Sequence, residues 1–220
     1  THLEWINKIK ENYIPESIEG NYKVYIEDFM NTIENLTQTN IMNESARFYF
    51  ENTPQIIKAN ETLLQAHSFL NNQYELIANK IGWQTYGSNI NWRNFWDQHN
   101  GLDTYLTIVT RDIVNGTGLN IMLILELNRD DKKRAGEIKE EFKNHPQFID
   151  KDSGKSEGSY IHFLCQNYSI TIDQLANLSD FVVEKIREDF ADITIAVIKY
   201  LYPDTDITTF ENQFPNVTAK

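Results

Sequence analysis

Residues 103–128 read DTYLTIVTRDIVNGTGLNIMLILELN, and the fold turns on how this stretch pairs with itself. Two runs rich in apolar and β-branched residues, 103–114 and 119–128, flank Asn115-Gly116-Thr117-Gly118. An Asn-Gly step takes positive φ at little cost, so the stretch predicts a β-hairpin closed by that turn. With Val114 opposite Leu119, Glu126 faces Thr107, and side chains alternate between two faces. One face collects Leu106, Ile108, Leu119, Ile121, Leu123, Leu125 and Leu127 and has to be core. The other carries Tyr105, Thr107, Val109, Arg111, Met122, Ile124, Glu126 and Asn128, a mixture suited to solvent or to an amphipathic partner.

Downstream of the hairpin, Asp130 and Asp131 favour the positive end of a helix over 130–144, which His145-Pro146 closes. A polar loop over 150–159 leads into a third strand, 160–166. Thr171 and Gln174 have the spacing of a capping box. Beyond them Leu175, Leu178, Val182, Ile186, Phe190, Ile193, Val197 and Leu201 form one long helical stripe that stops at Pro203. Upstream, the spacing of apolar residues predicts helices over 3–14 and 22–36, and a long amphipathic helix after Pro54 that ends at Gly82. Residues 46–50 suit helix or strand equally. The chain therefore reads as a helical region (1–82), an aromatic connection (83–101), an α+β region (102–203) and an irregular tail (204–220), packed as one unit. Its expected class is α+β: a helical N-terminal part, then a small antiparallel sheet, hairpin plus third strand, covered by helices.

The 220 residues are 40% hydrophobic and 24% charged, a globular composition. Lys and Arg number 20 against 32 Asp and Glu, a net charge of −12, so non-specific binding to duplex DNA is disfavoured. The densest basic cluster, Lys132-Lys133-Arg134, is flanked by Asp130, Asp131 and Glu137 and reads as a solvated helix face. Cys165 is the only cysteine, which fits a reducing, cytoplasmic setting. No apolar run approaches the ~20 residues of a membrane helix, so no membrane partner is expected. The start, Thr1-His2-Leu3-Glu4-Trp5, has neither the basic nor the apolar segment of a signal peptide.

Catalytic motifs fail on their spacing. The histidines at 2, 67, 99, 145 and 162 form no metal-ligand pattern, and neither metal nor cofactor is expected. Gly154-Lys155-Ser156 resembles the end of a phosphate loop, but Ile149 stands where that loop needs glycine and a strand follows where it needs a helix. His162 and Cys165, three apart on one strand, should point to opposite faces, which places Cys165 in the core with Ile161 and Phe163. No catalytic residue is assigned.

Between 83 and 99 the signal is aromatic. Trp83, Tyr86, Trp92, Phe95 and Trp96 are interleaved with Asn89, Asn91, Arg93, Asn94, Asp97 and His99. Amphipathic rings beside amides build stacking pockets and interface hot spots, and they also glue one part of a fold to another. On a helical turn Trp92 and Trp96 share a face, with Arg93 and Asn94 elsewhere. If the third strand joins the hairpin with His162 on the mixed face, then Arg111, Glu126 and His162 share a groove near these rings. Trp92, Trp96, Arg111, Glu126 and His162 are thus the candidate ligand-binding set, for a small anion, a peptide carboxylate or acid–base work, or else a solvated surface holding an ion pair. The expected function is a non-catalytic recognition domain of a larger intracellular system, taking a small polar ligand, a peptide or a protein partner. Oligomeric state is not written in the sequence.

A hydrolase is the alternative. The order helix, strand, strand, helix, strand, with Asp103 or Asp112 on the first strand and Glu126-Leu127-Asn128 on the second, resembles the core of the PD-(D/E)XK nuclease superfamily, many of whose members act in restriction and phage defence. That family carries Glu-x-Lys, the acids holding Mg²⁺ and the lysine activating water. Asn128 stands in the lysine's place, so the resemblance implies a degenerate domain. In the expected register Asp103 and Asp112 also lie about 13–17 Å along the ladder from Glu126, too far to share one metal.

Overall fold

A computed structural model describes residues 42–87, 89–97, 100–148 and 156–214, together with Glu4, Lys8, Asp28, Phe29, Asn31 and Thr32. Those six isolated positions are helical; the rest of the helices expected over 3–14 and 22–36 lies outside the described residues. The chain divides into two compact units, 1–62 and 63–220. In the first, Glu44–Glu51 (α1) is helical because the Asn43 side-chain oxygen caps it, accepting from the Ala46 amide at 2.8 Å. That decides the ambiguous run 46–50. The long helix Thr53–Ile81 (α2) buries Leu70, Tyr74, Ile77, Ala78 and Ile81 in its last turns, within the second unit.

Among the described residues the second unit holds one six-stranded antiparallel sheet. Its strands are Gln84–Tyr86 (β1), Trp92–Trp96 (β2), Thr104–Val109 (β3), Asn120–Asn128 (β4), Ser156–Glu157 (β5) and Tyr160–Ser169 (β6), ordered β1-β2-β3-β4-β6-β5. Region 83–101, read as an irregular connection, thus supplies two of the strands. The reason is local. Trp92-Arg93-Asn94-Phe95-Trp96 alternates, with Arg93 and Phe95 buried on one face and the other three half-buried on the opposite one. Aromatic residues favour such a pleated, half-covered surface.

The hairpin forms, but two residues away from the expected register: Leu106 lies opposite Leu125, and Glu126 opposite Tyr105 rather than Thr107. The cause is Arg111–Val114 (α3), a helical turn where strand is expected. The Asp112 carbonyl accepts from the Thr117 amide at 2.9 Å, so the chain coils before it reverses and β3 ends at Val109. A shift of two conserves the faces. Leu106, Ile108, Ile121, Leu123, Leu125 and Leu127 are all buried.

The single helix expected over 130–144 is two, Arg129–Lys133 (α4) and Ala135–Phe142 (α5). The long stripe after Thr171 is three: Ile172–Ala176 (α6), Leu178–Asp189 (α7) and Ala191–Leu201 (α8). The capping box is present, Gln174 N donating to Thr171 Oγ1 at 3.2 Å and Thr171 N to Gln174 Oε1 at 2.8 Å. Leu178, Val182, Ile186, Phe190, Ile193 and Val197 join the hairpin leucines and the end of α2 in one buried cluster, which covers one face of the sheet. The tail is not irregular throughout. Thr208–Gln213 (α9) is helical, and Phe210 and Phe214 are buried. Six residues are too few to show a period.

Gly82 ends α2 at φ 71°, and a Cβ there would stand 2.7 Å from the Thr209 methyl carbon. Gly82→Ala is therefore expected to cost at least about 1–2 kcal/mol, the penalty of the left-handed conformation alone. A urea melt reads it directly; an unchanged midpoint would show that the helix end needs no glycine.

A candidate ligand cavity on the second sheet face

The face turned away from the buried cluster carries a cavity of about 310 Å³. Its lining follows from strand alternation. Trp92 and Asn94 come from β2, Thr107 and Val109 from β3, and Ile124, Glu126 and Asn128 from β4. Arg111 reaches it from α3, and Tyr160 and His162 from β6.

The position of His162 depends on a bulge. Between Leu125 and Glu126 the β4–β6 register shifts: Leu125 pairs with Leu164, but Glu126 pairs with His162. Phe163 is the extra residue, and it reverses the parity of the strand. His162, opposite Glu126, and Cys165, opposite Ile124, consequently share the cavity-bearing face. Simple alternation puts them on opposite faces; the bulge overturns that expectation and takes Cys165 out of the hydrophobic cluster on the other side.

Of the candidate set, Trp92, Arg111, Glu126 and His162 line this cavity. Trp96 does not. It borders a neighbouring hollow of about 360 Å³ with Tyr86, Asp103, Tyr105 and Arg129. Trp92 and Trp96 do share a face, but as alternate positions of a strand, about 13 Å apart along it, and not as neighbours on a helical turn. Asn94 lies between them on that face, where helical geometry would send it elsewhere. Arg93 points the other way, its guanidinium 4.9 Å from the centre of the Tyr74 ring. Asn94 and Tyr160 are the lining residues that sequence reasoning missed. A period of two over 92–96 would have found the first.

Glu126 is the chemical centre. It is 6% exposed. Its Oε1 accepts from Asn128 Nδ2 at 3.0 Å and its Oε2 from Thr107 Oγ1 at 3.3 Å. Among the described residues no lysine or arginine forms an ion pair with it. Burial pushes its carboxyl above the usual glutamate range, and the two hydrogen bonds offset only part of that. Asn94, two strands away on β2, lines the same cavity; its Oδ1 is enclosed and, among the described residues, receives no hydrogen bond. The walls are flatter and less polar: Trp92 is half-buried, and the Tyr160 and His162 rings stack at 5.4 Å with 26° between planes. Arg111 is exposed.

A carboxyl whose pKa is raised by folding binds more protons in the native than in the unfolded state. Stability therefore falls as pH rises from the ordinary glutamate range through the raised native value. Glu126→Gln is expected to remove that contribution: the two proteins differ little in the pH-dependent part at acid pH, and the variant gains on the wild type towards neutrality. Urea midpoints across that range measure it, and parallel profiles would contradict the raised value.

The register also revises the nuclease geometry. Asp103 is two residues from the position opposite Glu126, about 7 Å along the strand, and shares its face. Its carboxylate is 3.4 Å from the Arg129 guanidinium. Asp112 has left the ladder for α3. Among the described residues no three His, Cys, Asp or Glu side chains gather as a metal site would require.

Comparison with known protein families, with curated proteins and with solved structures finds no match to this chain. Among the described residues no helix is long and apolar enough to cross a membrane.

Proposed function

We propose that this protein is a non-catalytic recognition domain of a larger intracellular system, and that it binds a small polar ligand in the cavity centred on Glu126. The observation that carries this reading is a buried carboxyl, Glu126, that has no counter-charge among the described residues and lines a concave space. Folding alone gains nothing from burying it, since its two neutral hydrogen bonds offset only part of the cost of taking a carboxylate out of water. A ligand supplying donors to that carboxylate would offset the remainder. A volume of about 310 Å³ is at the small end of the range for small-molecule sites. Cys165, the single cysteine of the sequence, supports a cytoplasmic setting.

A panel of small polar compounds, read by thermal shift, tests the proposal. Compounds that raise the melting temperature of the wild type are expected to lose that effect in Arg111→Ala and Trp92→Ala. Shifts retained in both variants, or no shift from any compound, would overturn it.

A further inference from the structure

We propose that the cavity takes a small molecule that presents a planar, N–H-rich cation, a guanidinium or amidinium, to Glu126, with an anionic group held at Arg111. This rests on the reading of the cavity as a ligand site and names the chemistry of its ligand.

Three observations select the cation. Glu126 is buried with a neutral donor on each oxygen, and each oxygen keeps a further acceptor position. A buried carboxylate without a counter-charge is costly, and a cation is the partner that offsets its desolvation. Second, the open acceptor positions lie on the two oxygens of one carboxylate, so the partner must present two donors side by side. A guanidinium does this in its own plane, with five N–H groups in a rigid fork; an ammonium is a compact point charge. Third, the half-buried Trp92 ring offers a flat π surface, on which a delocalised cation rests favourably. The chain's net charge of −12 adds an attractive field.

Arg111 sets the polarity of the ligand. It is exposed, and a ligand carrying positive charge alone would meet a like charge beside it. A molecule with a carboxylate or phosphate at its far end converts that repulsion into a charge-assisted pair.

Calorimetric titration with L-arginine, agmatine and L-citrulline tests the assignment. Arginine has both groups, agmatine lacks the carboxylate, and citrulline replaces the guanidinium by a neutral urea of similar shape. Arginine is expected to bind at least tenfold more tightly than either. Glu126→Gln should weaken arginine at least tenfold while leaving citrulline unchanged, and Arg111→Ala should reduce arginine to the level of agmatine. Equal binding of arginine and citrulline overturns the cation while keeping the cavity as a site. Agmatine binding as tightly as arginine overturns the role of Arg111. No binding by any of the three overturns the whole assignment, and the thermal-shift panel then decides separately whether the cavity binds other chemistry.

Discussion

Trp83→Ala is expected to lower the unfolding free energy by about 3–5 kcal/mol, the range for deleting a buried large aromatic side chain. Trp83 is 5% exposed and lies parallel to Phe210, ring centroids 4.4 Å apart with 24° between planes. Phe210 in turn meets Phe214 at 4.9 Å. Removing the indole opens a cavity where β1 begins and α9 docks, so the tail loses the surface it packs on. The Trp83 Nε1 is buried without a partner among the described residues. Its deletion therefore breaks no hydrogen bond, and Trp83→Phe, which keeps a ring and discards an unsatisfied donor, should cost clearly less than Trp83→Ala. Urea unfolding followed by circular dichroism measures both. A loss below about 1 kcal/mol for Trp83→Ala would mean that this ring is not core, contrary to the packing described here.

Trp92→Ala should behave in the opposite way, with an effect on binding larger than its effect on folding. The ring is half-buried against the cavity rather than enclosed in the core, so the fold loses less on its removal than at Trp83. A ligand resting on that ring loses its principal wall. Aromatic anchors of this kind carry more than about 2 kcal/mol of affinity, a factor of roughly thirty or more. Parallel urea melts and titrations with a compound that stabilises the wild type separate the two quantities. A large loss of stability with unchanged affinity would return Trp92 to a purely structural role.

The aromatic segment thus divides by strand parity. Trp83 and Phe95 join the core, while Trp92, Asn94 and Trp96 face the other side. Composition alone does not reveal that division, because a cluster of rings reads the same whether its period is two or four. The hairpin faces were legible, since alternation is dictated by pleating and survives a register shift of two. The register itself was not. It depends on α3, where Arg111-Asp112-Ile113-Val114 coils instead of extending, against its β-branched composition. The capping box at Thr171 was legible because its chemistry is local to four residues. The breaks at Asn177 and Phe190 were not, because the apolar stripe continues through both. The β6 bulge is a tertiary feature, set by pairing with β4, and no residue between His162 and Cys165 announces it. The cavity shows the same mixture: the odd–even pattern of the hairpin names Thr107, Ile124, Glu126 and Asn128 as neighbours, and the parity that Tyr160 shares with His162 on the expected third strand names Tyr160, while Asn94 enters only through a strand that the sequence hides.

Amide chemical-shift mapping with the compound that most raises the melting temperature tests the central claim most directly. The cavity account predicts the largest perturbations at Asn94, Thr107, Ile124, Glu126, Asn128 and His162 and at the Trp92 indole, with Ile77 and the Trp83 indole on the core side unmoved. Perturbations centred away from the cavity, with those amides and the Trp92 indole silent, would contradict it.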